Sequence, residues 1–78
     1  MVIKVKLPKL SETTDVLVIE EVLVAPGDAV TAHQALFLVE TDKVTVEVPS
    51  PMSGEVVEVI VGEGDEIRTG DILCVISA

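Results

Sequence analysis

Residues 21–28 read EVLVAPGD, and residues 58–65 repeat this pattern as EVIVGEGD. Each copy starts with alternating apolar residues and ends in a glycine–aspartate pair, Gly27-Asp28 in the first copy and Gly64-Asp65 in the second. Glycine permits a positive φ, and aspartate accepts hydrogen bonds from nearby backbone amides. A repeat of 37 residues therefore predicts two similar halves, each with a strand, a Gly-Asp turn, a short polar stretch and another strand.

Strand signals also fill the sequence outside the repeat. Apolar and polar residues alternate over residues 3–7 and 44–48, which is the period of a half-buried strand. Pro8 predicts the end of the first strand, and the Pro- and Ser-rich residues 49–54 separate the halves, with Gly54 as another turn residue. We predict one domain over residues 1–78 and an all-β fold, a flattened barrel or sandwich of two antiparallel sheets with quasi-two-fold symmetry.

The composition excludes several classes of function. The formal charge of −9 argues against binding to nucleic acid or to an anionic membrane surface. The single Cys74 cannot form an internal disulfide, and we expect it to be an inert, buried thiol. Because His33 lies far from Cys74 in sequence and is expected in an exposed loop, we predict neither a metal site nor a Cys-His nucleophile. We expect an intracellular, soluble protein.

Lys43 stands out for its context. It is the only Lys or Arg between Lys9 and Arg68, and it lies between two predicted strands. Short hairpin connections favour Asn-Gly or Asp-Gly, so a lysine here suggests that its side chain is used. Moving 37 residues forward from Lys43 passes the C-terminus, and moving back gives Lys6. The hairpin at Lys43 therefore corresponds, in the other half, to the place where the chain begins and ends. We expect Lys43 at one pole of the molecule and the two chain ends at the opposite pole.

Residues 40–44 (ETDKV), followed by EVPSP at residues 47–51, resemble the lipoyl-attachment motif of lipoyl domains in 2-oxo acid dehydrogenase complexes. Gly27, sixteen residues before the lysine, and Gly54, eleven after it, match two further positions of that family. The resemblance covers essentially the whole chain. It departs at residues 11–15 (SETTD), where many relatives have a Gly-containing acidic loop, so the complex that is served stays unspecified.

The resemblance implies a barrel-sandwich hybrid fold and a carrier that is not itself an enzyme. Lipoic acid would be attached to Lys43 through an amide, which removes the charge of the amine. Asp42, Val44 and Glu40 would contribute to recognition of the attachment site. A loop would serve partner recognition; its residues are Ser11, Glu12, Thr13, Thr14 and Asp15.

The same resemblance implies the partners of this chain. They are a lipoate-attaching enzyme, a thiamine-diphosphate 2-oxo acid decarboxylase, an acyltransferase catalytic domain and dihydrolipoyl dehydrogenase. The expected parent is a dihydrolipoyl acyltransferase from which this N-terminal module is excised, in the bacterial cytoplasm or the mitochondrial matrix. The isolated domain is expected to be a monomer.

Two alternatives remain open at this stage. The first is a biotinyl carrier domain of a carboxylase, although such domains usually have Met on both sides of the lysine, where this chain has Asp42 and Val44. The second is an unmodified barrel-sandwich module of a transport adaptor, which needs no lysine at the hairpin.

Overall fold

The computed structural model describes residues 1–8, 16–41 and 44–78. These residues contain eight strands, and none of them forms a helix that could cross a membrane. The strands are β1 (Val2–Lys6), β2 (Val16–Val22), β3 (Ala29–Val30), β4 (Ala35–Glu40), β5 (Thr45–Pro49), β6 (Gly54–Val59), β7 (Glu66–Arg68) and β8 (Ile72–Ser77).

The strands form two four-stranded antiparallel sheets. One has the order β1-β8-β6-β3 and the other the order β5-β4-β2-β7. The inward side chains of both sheets make a single apolar core, which is filled almost entirely by aliphatic residues around the one Phe. The predicted all-β architecture of two antiparallel sheets is therefore confirmed.

The two sheets are related by a quasi-two-fold axis, which their backbone hydrogen bonds make explicit. The Leu23 amide donates to the Leu36 carbonyl oxygen at 3.0 Å, and the Ile60 amide donates to that of Leu73 at 2.9 Å. These pairs are 37 residues apart, as the repeat predicts. The repeat therefore continues beyond the turns into β4 and β8.

The offset of 37 residues, which would relate Lys43 to Lys6, does not extend to β1 and β5. In the sheet pairings, Glu40 faces Thr45 and Ser77 faces Val2, so β5 corresponds to β1 with an offset of 43 residues. Lys6 is thus the counterpart of Pro49. The offset changes because the connection from β1 to β2 is longer than the equivalent connection from β5 to β6.

The two Gly-Asp turns are confirmed, and they are nearly identical. Gly27 has φ of 95° and Gly64 has φ of 87°, a region that L residues with a Cβ rarely adopt. In the first turn the Ala25 amide donates to Asp28 Oδ2 at 2.9 Å. In the second, the Gly62 amide donates to Asp65 Oδ2 at 2.8 Å. Each aspartate therefore satisfies a backbone donor in its own turn.

Gly54 is not a turn residue, so that prediction is wrong. It is the first residue of β6, and what requires glycine there is a close approach between strands. A Cβ at this position would lie well inside contact distance of the Ser77 carbonyl oxygen and 2.9 Å from Ile76 Cγ2. A single sequence does not distinguish this role from a turn, because the contacting residues Ile76 and Ser77 of β8 are more than twenty residues away in sequence.

Two smaller expectations agree with the structure. Cys74 and its repeat counterpart Phe37 are both fully buried, and burial raises the pKa of the Cys74 thiol to about 11. His33 is exposed and has φ of 72°, and its counterpart Gly70 has φ of 93°. The short polar stretch after each Gly-Asp turn, residues 31–34 in one half and 68–71 in the other, therefore has a positive φ at the equivalent position.

Candidate functional site

The ends of β4 and β5 nearest to Lys43 are closed by a compact set of hydrogen bonds. The Thr41 amide donates to the Val44 carbonyl oxygen at 2.8 Å. The Thr41 hydroxyl donates to the same oxygen at 2.7 Å, and the Val44 amide lies 3.0 Å from Thr41 Oγ1. These three hydrogen bonds pair Thr41 with Val44 on either side of a connection of two residues.

Several predicted site residues lie outside the described residues. They are Asp42 and Lys43 in the connection itself, and the predicted partner-recognition residues Ser11, Glu12, Thr13, Thr14 and Asp15. Their roles stay predictions, and the site is built here from the residues that flank them.

Val44 and Glu40 flank the connection and are both exposed. The alternation in β5 suggests a core or rim position for Val44, but its side chain is 61% exposed and it precedes the first residue of the strand. The alternation does hold deeper in β5, where Val48 is buried. Val44 thus lies outside the core and contributes accessible apolar surface one residue after the lysine in sequence.

Sequence reasoning missed Glu20. The Thr45 hydroxyl donates to Glu20 Oε2 at 2.6 Å, although the two residues are 25 positions apart. Glu20 is on β2 and Thr45 is on β5, and β4 lies between these strands. No local pattern in the sequence indicates this contact, because it depends on how three strands align.

The predicted recognition loop joins the described structure close to the hairpin. The first described residue after it, Val16, begins β2, and Val18 is the Cα partner of Glu40. Residues 11–15 therefore enter β2 at Val16, two residues before Val18, the partner of Glu40.

The chain ends lie at the opposite end of the molecule from Thr41 and Val44. β2 starts beside Glu40, and the chain that leaves β2 reaches the other sheet at Ala29. The partner of Ala29 is Glu55, which in turn pairs with Ser77. We call Glu40, Thr41, Val44 and Thr45 the lysine end, and their counterparts Ser77, Ala78, Met1 and Val2 the terminal end.

The described residues offer little other chemistry. No group of three His, Cys, Asp or Glu side chains among them could hold a metal ion. Cys74 is buried in the core, whereas His33 lies on the surface, so the structure does not bring them together as a nucleophile and base.

Residues 3–76 match the model of the Biotin_lipoyl family, which is described as "Biotin-requiring enzyme". This match covers nearly the whole chain, and the chain belongs to this family. Membership implies a covalently attached lipoyl or biotin group.

Curated relatives are acyltransferase components of 2-oxo acid dehydrogenase complexes. The chain is 44% identical over 69 residues to the dihydrolipoyllysine-residue acetyltransferase component of the pyruvate dehydrogenase complex of Pseudomonas aeruginosa, covering 88% of this chain and 12% of the relative. It is 36% identical over 78 residues to the dihydrolipoyllysine-residue succinyltransferase component of the 2-oxoglutarate dehydrogenase complex of Bartonella vinsonii subsp. berkhoffii. That match covers all of this chain and 19% of the relative, so the chain spans a small part of both proteins.

A solved structure supports the same relationship. The lipoyl domain of the 2-oxoglutarate dehydrogenase complex from Azotobacter vinelandii superimposes with a TM-score of 0.79 at 29% sequence identity. The superposition covers 97% of this chain and 96% of that domain. This chain is therefore homologous to the non-catalytic lipoyl domains of acyltransferase components and is a carrier domain rather than an enzyme.

Proposed function

We propose that this chain is a lipoyl carrier domain of a dihydrolipoyl acyltransferase, with lipoic acid attached through an amide to Lys43. The observation that carries the proposal is the paired hairpin end: Thr41 and Val44 are hydrogen bonded, and the motif lysine lies in the two residues between them. A carrier needs its attachment lysine accessible on a rigid support, and the flanking Val44 is 61% exposed.

The described residues fit a covalently attached group. An arm on a hairpin needs no enclosing pocket, only a connection that an attaching enzyme can reach and strands that hold it in a defined direction. When attached, a lipoyl group supplies a dithiolane that accepts acyl groups and electrons, and the protein contributes presentation and tethering. Asp42, Val44 and Glu40 would be the residues that the attaching enzyme reads around the amine.

We further propose that the partners are those of a 2-oxo acid dehydrogenase complex: a thiamine-diphosphate decarboxylase, an acyltransferase catalytic domain and dihydrolipoyl dehydrogenase. The decarboxylase would contact residues 11–15 together with Glu40 and Glu47, which are exposed at the lysine end and on β5. Replacing Glu12 by Gln and Asp15 by Asn should slow acylation of the lipoylated domain at low ionic strength and leave lipoylation intact. Equal acylation rates for variant and wild type at low salt would exclude this loop from the contact.

Attachment is tested by incubating the unmodified domain with a lipoate-attaching enzyme and lipoate, and in parallel with a biotin ligase and biotin. We expect lipoate on Lys43, and no labelling of Lys43→Arg, whose guanidinium does not form the amide under these conditions. Intact mass and peptide mapping give the result.

The matched controls are Lys4→Arg and Lys6→Arg, because both lysines are exposed in β1, which belongs to the other sheet. They should be lipoylated like the wild type. Biotin in place of lipoate on Lys43 would select the biotinyl alternative, and lipoate on Lys4 or Lys6 would contradict the proposed site.

A further inference from the structure

Glu20 occupies an irregular position in β2. The pairing of β2 with β4 passes from Ile19 opposite Val39 to Glu21 opposite Leu38, so Glu20 is an extra residue without a partner of its own in the register. Such bulges redirect the side chain of the extra residue. Here the side chain of Glu20 reaches across the sheet rather than along its own strand.

The contact of Glu20 with Thr45 spans three strands. Because β4 lies between β2 and β5, the backbones of the two residues are separated by about twice the usual strand spacing of ~4.8 Å. The Thr45 hydroxyl nevertheless donates to Glu20 Oε2 at 2.6 Å, a short hydrogen bond to a carboxylate oxygen. A side chain shorter by one methylene group would not bridge this span.

Thr45 is the residue at which this contact matters for the hairpin. It is the first residue of β5, two positions after Lys43, and among the described strands β5 is an edge strand that pairs with β4 alone. The bonds between Thr41 and Val44 close the hairpin locally but do not join it to the rest of the sheet. The Glu20 carboxylate therefore joins the start of β5 directly to β2.

The other half of the molecule is an internal control. Its bulge falls between Val56 and Glu58 and leaves Val57 as the extra residue, and the counterpart of Thr45 is Val2. Val57 is 52% exposed and Val2 is 61% exposed. The same backbone geometry thus forms without a polar contact at this position, so the fold does not require the Glu20–Thr45 bond.

We propose that Glu20 is a positioning residue for the Lys43 hairpin, holding the start of β5 through Thr45 so that the lysine is presented in one direction. This inference rests on the proposed attachment at Lys43. An enzyme that accepts the domain then has less conformational freedom to restrict on binding. The hydrogen bond, and not the charge of Glu20, is what the proposal requires.

Four substitutions separate the bond from the charge. Glu20→Asp keeps the charge and loses the reach, whereas Glu20→Gln loses the charge and keeps an acceptor oxygen at the same distance. Thr45→Val removes the hydroxyl at nearly constant volume, and Thr45→Ser retains it. We expect kcat/KM for lipoyl attachment to fall roughly threefold to tenfold in Glu20→Asp and Thr45→Val, and to be largely retained in Glu20→Gln and Thr45→Ser.

The double variant Glu20→Asp/Thr45→Val should be no slower than either single variant, since both remove one interaction. Val57→Ala, at the equivalent bulge, should be lipoylated like the wild type. The opposite pattern, with Glu20→Gln slow and Glu20→Asp normal, would show that charge attracts the attaching enzyme and would overturn the proposal.

Amide hydrogen exchange on the unmodified domain gives a readout that does not depend on attachment. The Val44 amide, which is held by Thr41 Oγ1, should exchange several-fold faster in Glu20→Asp and Thr45→Val while core amides such as Val39 keep their protection. Unchanged Val44 exchange in both variants would overturn the positioning role. Failure of wild-type attachment at Lys43 would instead overturn the proposed function and leave this measurement interpretable.

Discussion

At the lysine end of the molecule the Thr41 amide donates to the Val44 carbonyl oxygen at 2.8 Å, and at the terminal end the Ala78 amide donates to the Met1 carbonyl oxygen, also at 2.8 Å. At one end two residues of chain complete a hairpin across this pair. At the other end the same pair joins the first and last residues of the sequence. The two ends are therefore nearly equal in backbone geometry.

Their side chains differ in ways that a partner can read. On the lysine side Glu40 and Glu47 lie where the other sheet has Ser77 and Lys4. The Glu20–Thr45 hydrogen bond lies where the other sheet has two exposed valines. Because one backbone serves both ends, specificity for one of them must come from these side chains and from the residues in the hairpin connection.

The sharpest way to break the comparison is to move the lysine. Joining Ala78 to Met1 through Asp-Lys in a Lys43→Arg background creates a second hairpin with the backbone spacing of the first. We expect the new lysine to be lipoylated at least roughly tenfold more slowly than Lys43, because Ser77, Val2 and Val57 replace the groups around the proposed site. Peptide mapping over a time course measures both rates, and equal rates would mean that hairpin geometry alone is read.

The core sharpens the comparison through Phe37 and Cys74, which occupy equivalent buried positions of different size. Phe37→Ala should destabilise the domain by about 3–5 kcal/mol, since it leaves a large cavity. Cys74→Ala removes only a sulfur atom and should cost about 1 kcal/mol. Urea denaturation followed by circular dichroism gives both values. Similar losses in the free energy of unfolding would show that Phe37 and Cys74 contribute equally to stability despite their different sizes.

Three glycines test where the halves are equivalent and where they are not. Gly54→Ala should cost about 1–3 kcal/mol because its Cβ would collide with the backbone of β8. Gly27→Ala and Gly64→Ala should each cost about 1 kcal/mol and match one another, since both meet open space and differ only in needing a positive φ. Clearly different values for these last two would contradict the equivalence of the turns.

The smallest effect concerns pH. Burial raises the pKa of the Cys74 thiol from 9.0 to about 11, so the unfolded chain loses this proton at lower pH than the folded chain. The free energy of unfolding should therefore fall between about pH 9 and pH 11 and be unaffected by this group below that window. Cys74→Ala should lack this pH dependence of the free energy of unfolding. Phe37, its counterpart in the other half, has no ionisable group and contributes none. A wild-type stability profile parallel to that of Cys74→Ala over this range would contradict the shift.

The site could be proposed from the sequence because its signals are local, and the strands on either side of it are confirmed as β4 and β5. The motif around Lys43 lies in one short segment, and alternating apolar and polar residues predict the strand that follows it. Glu20 could not be found this way, because its partner is 25 residues distant and its orientation depends on a bulge. The exposure of Val44 was missed for a related reason: alternation indicates which face a side chain takes and does not show where the core ends.

The sequence by itself determined the all-β class, the two halves and their Gly-Asp turns, since these depend on backbone preferences within a few residues. The tertiary structure alone decided that β1 corresponds to β5 with an offset of 43, and that Gly54 serves a close approach rather than a turn. It also decided that Glu20 reaches Thr45 across β4. Each of these depends on the register between strands that are distant in sequence, and register is set only when the sheets pack around a shared core.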